Sequence, residues 1–177
     1  SELEWAKDSR LIMITAHRRE NLGEPMQHMF RAIRHVMDEH PDVKAIYPIH
    51  MNPVVRETAN SILGDDDRIH IIEPLEVLDF HNFLSRSYLI LTDSGGIQEE
   101  APSLGKPVLV MRDTTERPEG IAAGTLKLVG TTEDMIYNEF SKLLSDKSEY
   151  DKMSKASNPY GDGFASKRIA DILEEKL

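Results

Sequence analysis

The chain has 177 residues, which is enough for a single domain with a sizeable core. Its formal net charge of −10 argues against a nucleic-acid partner and against an anionic membrane surface. The absence of cysteine excludes a disulfide scaffold and a thiolate zinc site, and it fits a reducing compartment.

The first six residues do not resemble a signal peptide, and no apolar run is long enough to span a bilayer. We therefore expect a cytoplasmic protein with no membrane partner. Because the chain begins with Ser1 rather than Met, directly before what looks like a first strand, we expect it to be a piece of a longer protein.

Short apolar runs of strand length alternate with amphipathic stretches along the whole chain. The predicted strands cover residues 11–15, 43–49, 69–72, 88–92, 107–111 and 126–129. The clearest helix carries a stripe of apolar residues with i, i+3, i+4, i+7 spacing between Met26 and Met37. Further helices are predicted over residues 53–63, 77–84, 97–104, 133–144 and about 164–177. This alternation predicts an α/β fold, a Rossmann-like doubly wound parallel sheet of about six strands that forms one domain.

Ligands of open parallel sheets bind beyond the carboxyl ends of the strands, and four polar clusters lie at such ends. They are residues 15–23, 50–53, 94–96 and 112–120. Each cluster by itself is also typical of an ordinary polar loop. The concentration of Arg, His and Glu in all four indicates a shared site.

The most informative cluster is the turn of Ser94, Gly95 and Gly96, which follows a buried strand and opens a helix. Unpaired backbone N–H groups at a helix start suit a phosphate, and the missing Cβ atoms let it approach closely. Glu100, one helical turn later, points toward the same crevice and is a candidate acceptor for ribose hydroxyls. The alternative is that Ser94 only caps the helix and the glycines only form a turn.

Cationic groups in the neighbouring clusters are candidates for a diphosphate. Arg18 and Arg117 can offer two-pronged bonds to phosphate oxygens. Histidine as a residue type changes charge near neutral pH, so His17 can donate to a phosphate or help a leaving group depart, although it is also a candidate for a structural cap. No histidine stands in a metal-ligand spacing, so we expect neither a metal nor a cofactor.

Five motifs occur in order along the chain. They are Thr-x-His-Arg-Arg-Glu-Asn at 15–21, His-x-Asn-Pro at 50–53, Asp-Ser-Gly-Gly-x-Gln-Glu-Glu-Ala-Pro at 93–102, Arg-Asp-x-Thr-Glu-Arg-Pro-Glu at 112–119, and Asn-Pro-Tyr-Gly-Asp-Gly at 158–163. Together they closely resemble the non-hydrolysing bacterial UDP-N-acetylglucosamine 2-epimerases. The resemblance runs from about residue 10 to the end and covers only the C-terminal half of that family. It implies the C-terminal half of a glycosyltransferase-B-type fold, in which two Rossmann-like domains enclose the substrate.

The resemblance also implies the reaction and the role of several residues. UDP-N-acetylglucosamine and UDP-N-acetylmannosamine are interconverted by elimination of UDP and its re-addition after inversion at C2. His17 is then the candidate catalytic group on the diphosphate. Ser94, Gly95 and Gly96 hold phosphate oxygens through main chain and hydroxyl, and Glu100 takes the ribose.

Four further residues take roles from the resemblance, and Phe80, Arg18 and His50 each have an alternative. Phe80 lies against the uracil, or it is plain core. Arg117 lies near the phosphate or sugar end. Arg18 and His50 help to bind a second, regulatory UDP-N-acetylglucosamine, or they only support their loops. Glu99 is expected to be a solvated or helix-start charge rather than a ligand.

The implied partners are UDP-N-acetylglucosamine, UDP, and a missing N-terminal domain. The helix over 164–177 is expected to cross onto that domain. A homodimer is expected for the full-length protein, and this chain alone is expected to bind UDP weakly without turnover. Two alternatives remain open: a UDP-sugar glycosyltransferase or hydrolysing epimerase of the same fold, and a non-catalytic nucleotide-sugar sensor.

Overall fold

A computed structural model describes residues 2–176, and its centre is a parallel six-stranded sheet. The strands are β1 (Arg10–Thr15), β2 (Val43–Pro48), β3 (Ile69–Ile72), β4 (Leu89–Thr92), β5 (Val108–Val110) and β6 (Leu126–Leu128). Their order in the sheet is β3-β2-β1-β4-β5-β6. The six predicted strands and the Rossmann-like sheet are therefore confirmed, and the order reverses between β1 and β4, where open sheets bind their ligands.

The helices between strands cover both faces of the sheet, and further helices precede β1 and follow β6. They are α1 (Glu2–Trp5), α2 (Glu24–Glu39), α3 (Pro53–Leu63), α4 (Val77–Arg86), α5 (Gly95–Ser103), α6 (Pro118–Ala123), α7 (Glu133–Ser145), α8 (Lys147–Ser154) and α9 (Ala165–Lys176). Every predicted helix is present; the last predicted residue, Leu177, lies outside the described range, as does Ser1. Within residues 2–176, no helix is both long and apolar enough to cross a membrane.

The structure adds short helical pieces that the apolar pattern did not indicate. These pieces are α1, α6, α8 and a 3-10 turn at Arg19–Asn21. Helix α8 has no buried residue, so no apolar stripe marks it. It begins instead at a side-chain cap, because Asp146 accepts the amides of Ser148 and Glu149 at 2.9 and 3.1 Å.

The core has two layers, one on each face of the sheet. Alternate side chains of a strand point to opposite faces, so Ile12 and Ile14 join one layer while Leu11 and Met13 join the other. The first layer is completed by the fully buried apolar stripe of α2, together with residues of α3 and α7. The second is completed by α4 and α5. This packing on both faces confirms the doubly wound architecture.

The terminal segment has a different environment from the rest of the chain. Every described residue from 161 to 176 is exposed, including the large apolar side chains of Phe164, Ile169, Ile172 and Leu173. Just before this segment, Tyr160 fills the space beside Gly120: a Cβ atom on Gly120 would lie 2.4 Å from the Tyr160 hydroxyl. The chain thus leaves the domain at Tyr160.

Candidate functional site

The loops that follow the two central strands meet because β1 and β4 are paired in register, with Thr15 opposite Thr92. Their hydroxyls bond at 2.6 Å in a buried position. We call the two loops, residues 16–23 and 93–96, the rim. The rim therefore lies directly above the point where the sheet reverses its order.

The amino end of α5 forms one side of the rim. Within residues 2–176, the amides of Gly95 and Gly96 have no hydrogen-bond partner, as expected for the first turn of a helix. The amide of Ser94 differs, because it donates to the Thr92 hydroxyl at 2.9 Å. Ser94 is the N-cap residue, yet its side chain makes no capping bond. The groups that this turn can offer a phosphate are two glycine amides and one hydroxyl.

Charged side chains flank the two glycines. A Cβ atom on Gly95 would lie 3.5 Å from Nη2 of Arg18, and one on Gly96 would lie 3.6 Å from Oε1 of Glu100. The open space above the turn therefore has a guanidinium at one side and a carboxylate at the other. A diphosphate and a neighbouring hydroxyl-bearing group match this distribution of charge.

A cleft of about 270 Å³ opens beside the rim. His17, His50, Phe80 and Ser94 line it, together with apolar residues such as Ile97. The rings of His17 and His50 stack with their centroids 5.3 Å apart and their planes 10° from parallel. Four of the predicted site residues are thus brought to one cleft by loops or helices that follow four different strands.

Phe80 and Glu100 lie on neighbouring helices, α4 and α5. Phe80 is half-buried. It packs against the second core layer and also lines the cleft, so it is both a core residue and a residue that a ligand in the cleft can contact. Glu100 is partly exposed and lies 3.3 Å from Nε2 of His81. A flat apolar ring therefore faces the cleft, whereas the Glu100 carboxylate, in the described part of the chain, is not among the groups that line it.

Arg117 lies outside α5, at the N-cap position of α6. Its guanidinium forms an ion pair with Glu99, which makes Glu99 the partner of a cation rather than a free surface charge. In the described part of the chain, Arg117 does not belong to the wall of the cleft. An anion that recruits Arg117 has to compete with Glu99.

The loop that carries His17 and Arg18 is anchored by a residue that the sequence did not single out, Asp93. Its fully buried carboxylate accepts the His17 amide at 2.9 Å, the Arg18 amide at 2.8 Å and the Asn21 side-chain amide at 3.1 Å. From the other side, the buried Tyr47 hydroxyl donates to the carbonyl oxygen of Ala16. Burial raises the pKa of Tyr47 above its usual range, so this hydroxyl stays a donor.

Arg112 is a structural member of the site. It is buried, and it bonds Glu20 at 3.0 Å and both oxygens of Glu116 at 2.6 and 2.9 Å. These bonds from Arg112 lower the pKa of Glu116 to about 2. Arg112 therefore joins the loop after β5 to the loop after β1, and its charge is already compensated by carboxylates.

Comparison with known proteins gives a consistent family. The sequence profile of UDP-N-acetylglucosamine 2-epimerase matches residues 1–174. The chain is 64% identical over 171 residues to the UDP-N-acetylglucosamine 2-epimerase of Bacillus subtilis. This alignment covers 97% of this chain and 45% of that protein. The chain thus spans about half the length of the curated relatives it matches.

Solved structures agree. A 2-epimerase structure from Listeria monocytogenes superposes with a TM-score of 0.95 at 59% identity, over 98% of this chain and 47% of that one. A co-structure of S. aureus MnaA with UDP superposes with a TM-score of 0.94 at 56% identity. The match covers 99% of this chain and 48% of that one. The C-terminal domain of a glycosyl transferase from Francisella tularensis, at 18% identity and a TM-score of 0.67, shares the fold alone.

Proposed function

The chain belongs to the UDP-N-acetylglucosamine 2-epimerase family, and from that premise we propose that it is the UDP-binding half of an enzyme that interconverts UDP-N-acetylglucosamine and UDP-N-acetylmannosamine. One observation carries the proposal beyond the family match. The unpartnered amides of Gly95 and Gly96 lie between Arg18 and Glu100 at the edge of a cleft. This arrangement suits a nucleotide diphosphate.

The proposed reaction begins with elimination of UDP. A base takes the proton from C2 of the sugar, the C1–O bond breaks, and its electron pair goes to the diphosphate oxygen. Fixed N–H donors and cations lower the barrier when they stabilise that developing charge more than the bound ground state. The rim supplies such groups through Gly95, Gly96 and Arg18. We assign the C2 base to the half of the relatives' length that this chain does not span.

The remaining assignments rest on the family resemblance. Phe80 provides a face for the uracil ring, and Glu100 accepts the ribose hydroxyls. Ser94 contributes its hydroxyl to a phosphate oxygen. Arg117 contributes at the phosphate or sugar end after exchanging Glu99 for the ligand. His17, at the cleft wall, donates to the departing diphosphate.

A second, regulatory UDP-N-acetylglucosamine is proposed to bind beside the first, on Arg18 and His50. Support comes from their placement, since His50 stacks on His17 and Arg18 lies next to Gly95. A ligand held by these two residues would touch the same imidazole and turn that serve the diphosphate. Binding at the two places would therefore be coupled.

The exposed helix α9 is proposed to cross onto a second Rossmann-like domain, which closes the cleft from the other side. Its apolar residues Phe164, Ile169, Ile172 and Leu173 supply the contact surface. The full-length protein is proposed to act as a homodimer in the cytoplasm. The chain described here is then inactive by itself and binds UDP weakly.

The decisive experiment uses the full-length protein with UDP-N-acetylglucosamine in heavy water. We expect deuterium at C2 and formation of UDP-N-acetylmannosamine, both followed by proton NMR. Release of free N-acetylmannosamine with UDP would identify a hydrolysing enzyme instead. Saturable binding of the nucleotide sugar without exchange at C2 would identify a sensor.

A further inference from the structure

Asp93 is unusual because its carboxylate is fully buried and, within residues 2–176, no Lys or Arg lies within ion-pair distance of it. Burying an ionised carboxylate is costly unless hydrogen bonds or an opposite charge compensate it. The backbone amides of His17 and Arg18 and the side chain of Asn21 supply hydrogen bonds. The nearest group that can become a cation is the imidazole of His17.

The His17 ring is oriented toward that carboxylate. Its Nδ1 lies 3.5 Å from Oδ1 of Asp93, slightly long for a hydrogen bond. Such contacts often shorten when a substrate binds. A buried carboxylate beside Nδ1 favours the arrangement in which that nitrogen, rather than Nε2, faces it with a proton. Nε2, on the opposite side of the ring, is then the nitrogen left for a ligand in the cleft.

The stacked partner, His50, is in a different situation. Its Nδ1 accepts the backbone amide of Asn52 at 3.1 Å, so that nitrogen carries a lone pair and no proton. Protonation of His50 would remove this bond and would place two cations face to face. Besides Asp93, the other charged side chains of the rim are Arg18, Arg19 and Glu20, and Glu100 lies beyond the rim on α5, beside His81. His17 is therefore the ring of the pair whose Nδ1 is not already accepting a backbone amide.

We propose that Asp93 is a positioning residue, which keeps Nδ1 of His17 protonated and directs Nε2–H at the departing diphosphate oxygen, while His50 stays neutral. This inference rests on the proposed function. As the C1–O bond breaks, the Nε2 proton moves to the diphosphate oxygen, and His17 becomes neutral with its Nδ1 proton retained. In the re-addition step the same proton returns to Nε2.

The test compares wild type with Asp93→Asn in the full-length protein. Asparagine keeps an oxygen for the loop amides but removes the charge. We expect kcat to fall about 100-fold, within the usual range for general acid catalysis, while KM changes less than about threefold. The descending limb of the pH–rate profile should move about one unit lower, since the buried anion beside Nδ1 is gone.

Asn21→Ala is the matched control, because it removes one donor to the same carboxylate and keeps the charge. It should leave the descending limb in place even if the loop loosens. Wild-type exchange at C2 is measured first and tests the proposed function by itself. With an active wild type, an Asp93→Asn protein that keeps the wild-type kcat and pH profile overturns the inference.

A second measurement uses the wild-type protein and therefore does not depend on the folding of the variant. Wild-type protein labelled with ¹⁵N-histidine, with the His17 signals identified from His17→Gln, reports which ring nitrogens carry protons. We expect a proton on Nδ1 of His17 and a bare Nδ1 on His50. A bare Nδ1 on His17, or the positive charge on His50, overturns the assignment. If Asp93→Asn does not fold, this spectrum decides alone.

Discussion

The rim and helix α9 differ in what stabilises them. The rim is held from within the domain, by the buried Asp93 carboxylate on one side and the Tyr47 hydroxyl on the other. Helix α9 has no buried residue in the described structure, and its side chains bond to near neighbours, as Arg168 does to Asp162. The comparison teaches that the rim is fixed by buried contacts within the domain, whereas the last helix has no described residue buried against that domain.

The largest expected effect is on the rim side of this comparison. Replacing Glu100 by Ala should weaken UDP binding by about 1–3 kcal/mol, the usual range for lost charge-assisted hydrogen bonds. Isothermal titration of the full-length protein with UDP measures it. His81→Ala is the control, since it removes the partner of Glu100 but not the carboxylate. Unchanged affinity in Glu100→Ala would remove the ribose assignment.

Gly95→Ala should weaken UDP binding without lowering the stability of the protein. The added Cβ atom would lie 3.5 Å from Arg18, an ordinary contact, so the free protein should keep its stability. Alanine also favours a helix over glycine by up to about 1 kcal/mol. The methyl group would occupy space needed by a phosphate, and UDP affinity should fall about tenfold, or about 1.4 kcal/mol. Thermal melts measure the stability of Gly95→Ala, and isothermal titration measures its affinity for UDP. An affinity equal to that of the wild type would contradict the phosphate site.

Glu99→Gln should act in the opposite direction. It releases Arg117 from its ion pair, and exposed ion pairs contribute about 0.2–1 kcal/mol. UDP binding should therefore tighten by at most about fivefold. Glu139→Gln is a control for net charge, because Glu139 pairs with Lys127. Equal tightening in both variants would show that Arg117 does not reach the ligand.

The smallest effect is expected at α9. Ile172 is 51% exposed, so Ile172→Ser in this chain alone should change the free energy of unfolding by less than about 0.5 kcal/mol. Urea denaturation measures it. Ile136→Ala, at a fully buried position of α7, should cost about 2–5 kcal/mol in the same assay. A large loss in Ile172→Ser would mean that α9 packs on its own domain, which would undo the comparison.

Much of the fold could be predicted because its signals are local. Strand length, apolar periodicity and punctuating Pro and Gly residues located six strands and the longer helices. The apolar stripe of α2 between Met26 and Met37 is buried as its spacing predicted. The family resemblance is confirmed by relatives and solved structures.

Details of the site could not be predicted because they depend on pairs far apart in the chain. Asp93 meets the His17 loop across 76 residues, and Arg117 meets Glu99 across 18. The internal bond of the Ser94 amide depends on the Thr92 side-chain rotamer. No pattern of apolar residues carries such information. The roles of His17, Phe80, Glu100 and Arg117 toward a ligand stay predictions.

The hydrogen bonds to Asp93 also affect how fast the amide hydrogens of the rim exchange with solvent. His17 and Arg18 lie on a surface loop, where amide hydrogens normally exchange with solvent quickly. Both amides donate to a carboxylate that no solvent reaches. Their hydrogens can exchange only when these bonds open, so we expect them to be protected more strongly than the amides of an ordinary surface loop. A loop protected in this way presents its imidazole in one place before any ligand arrives.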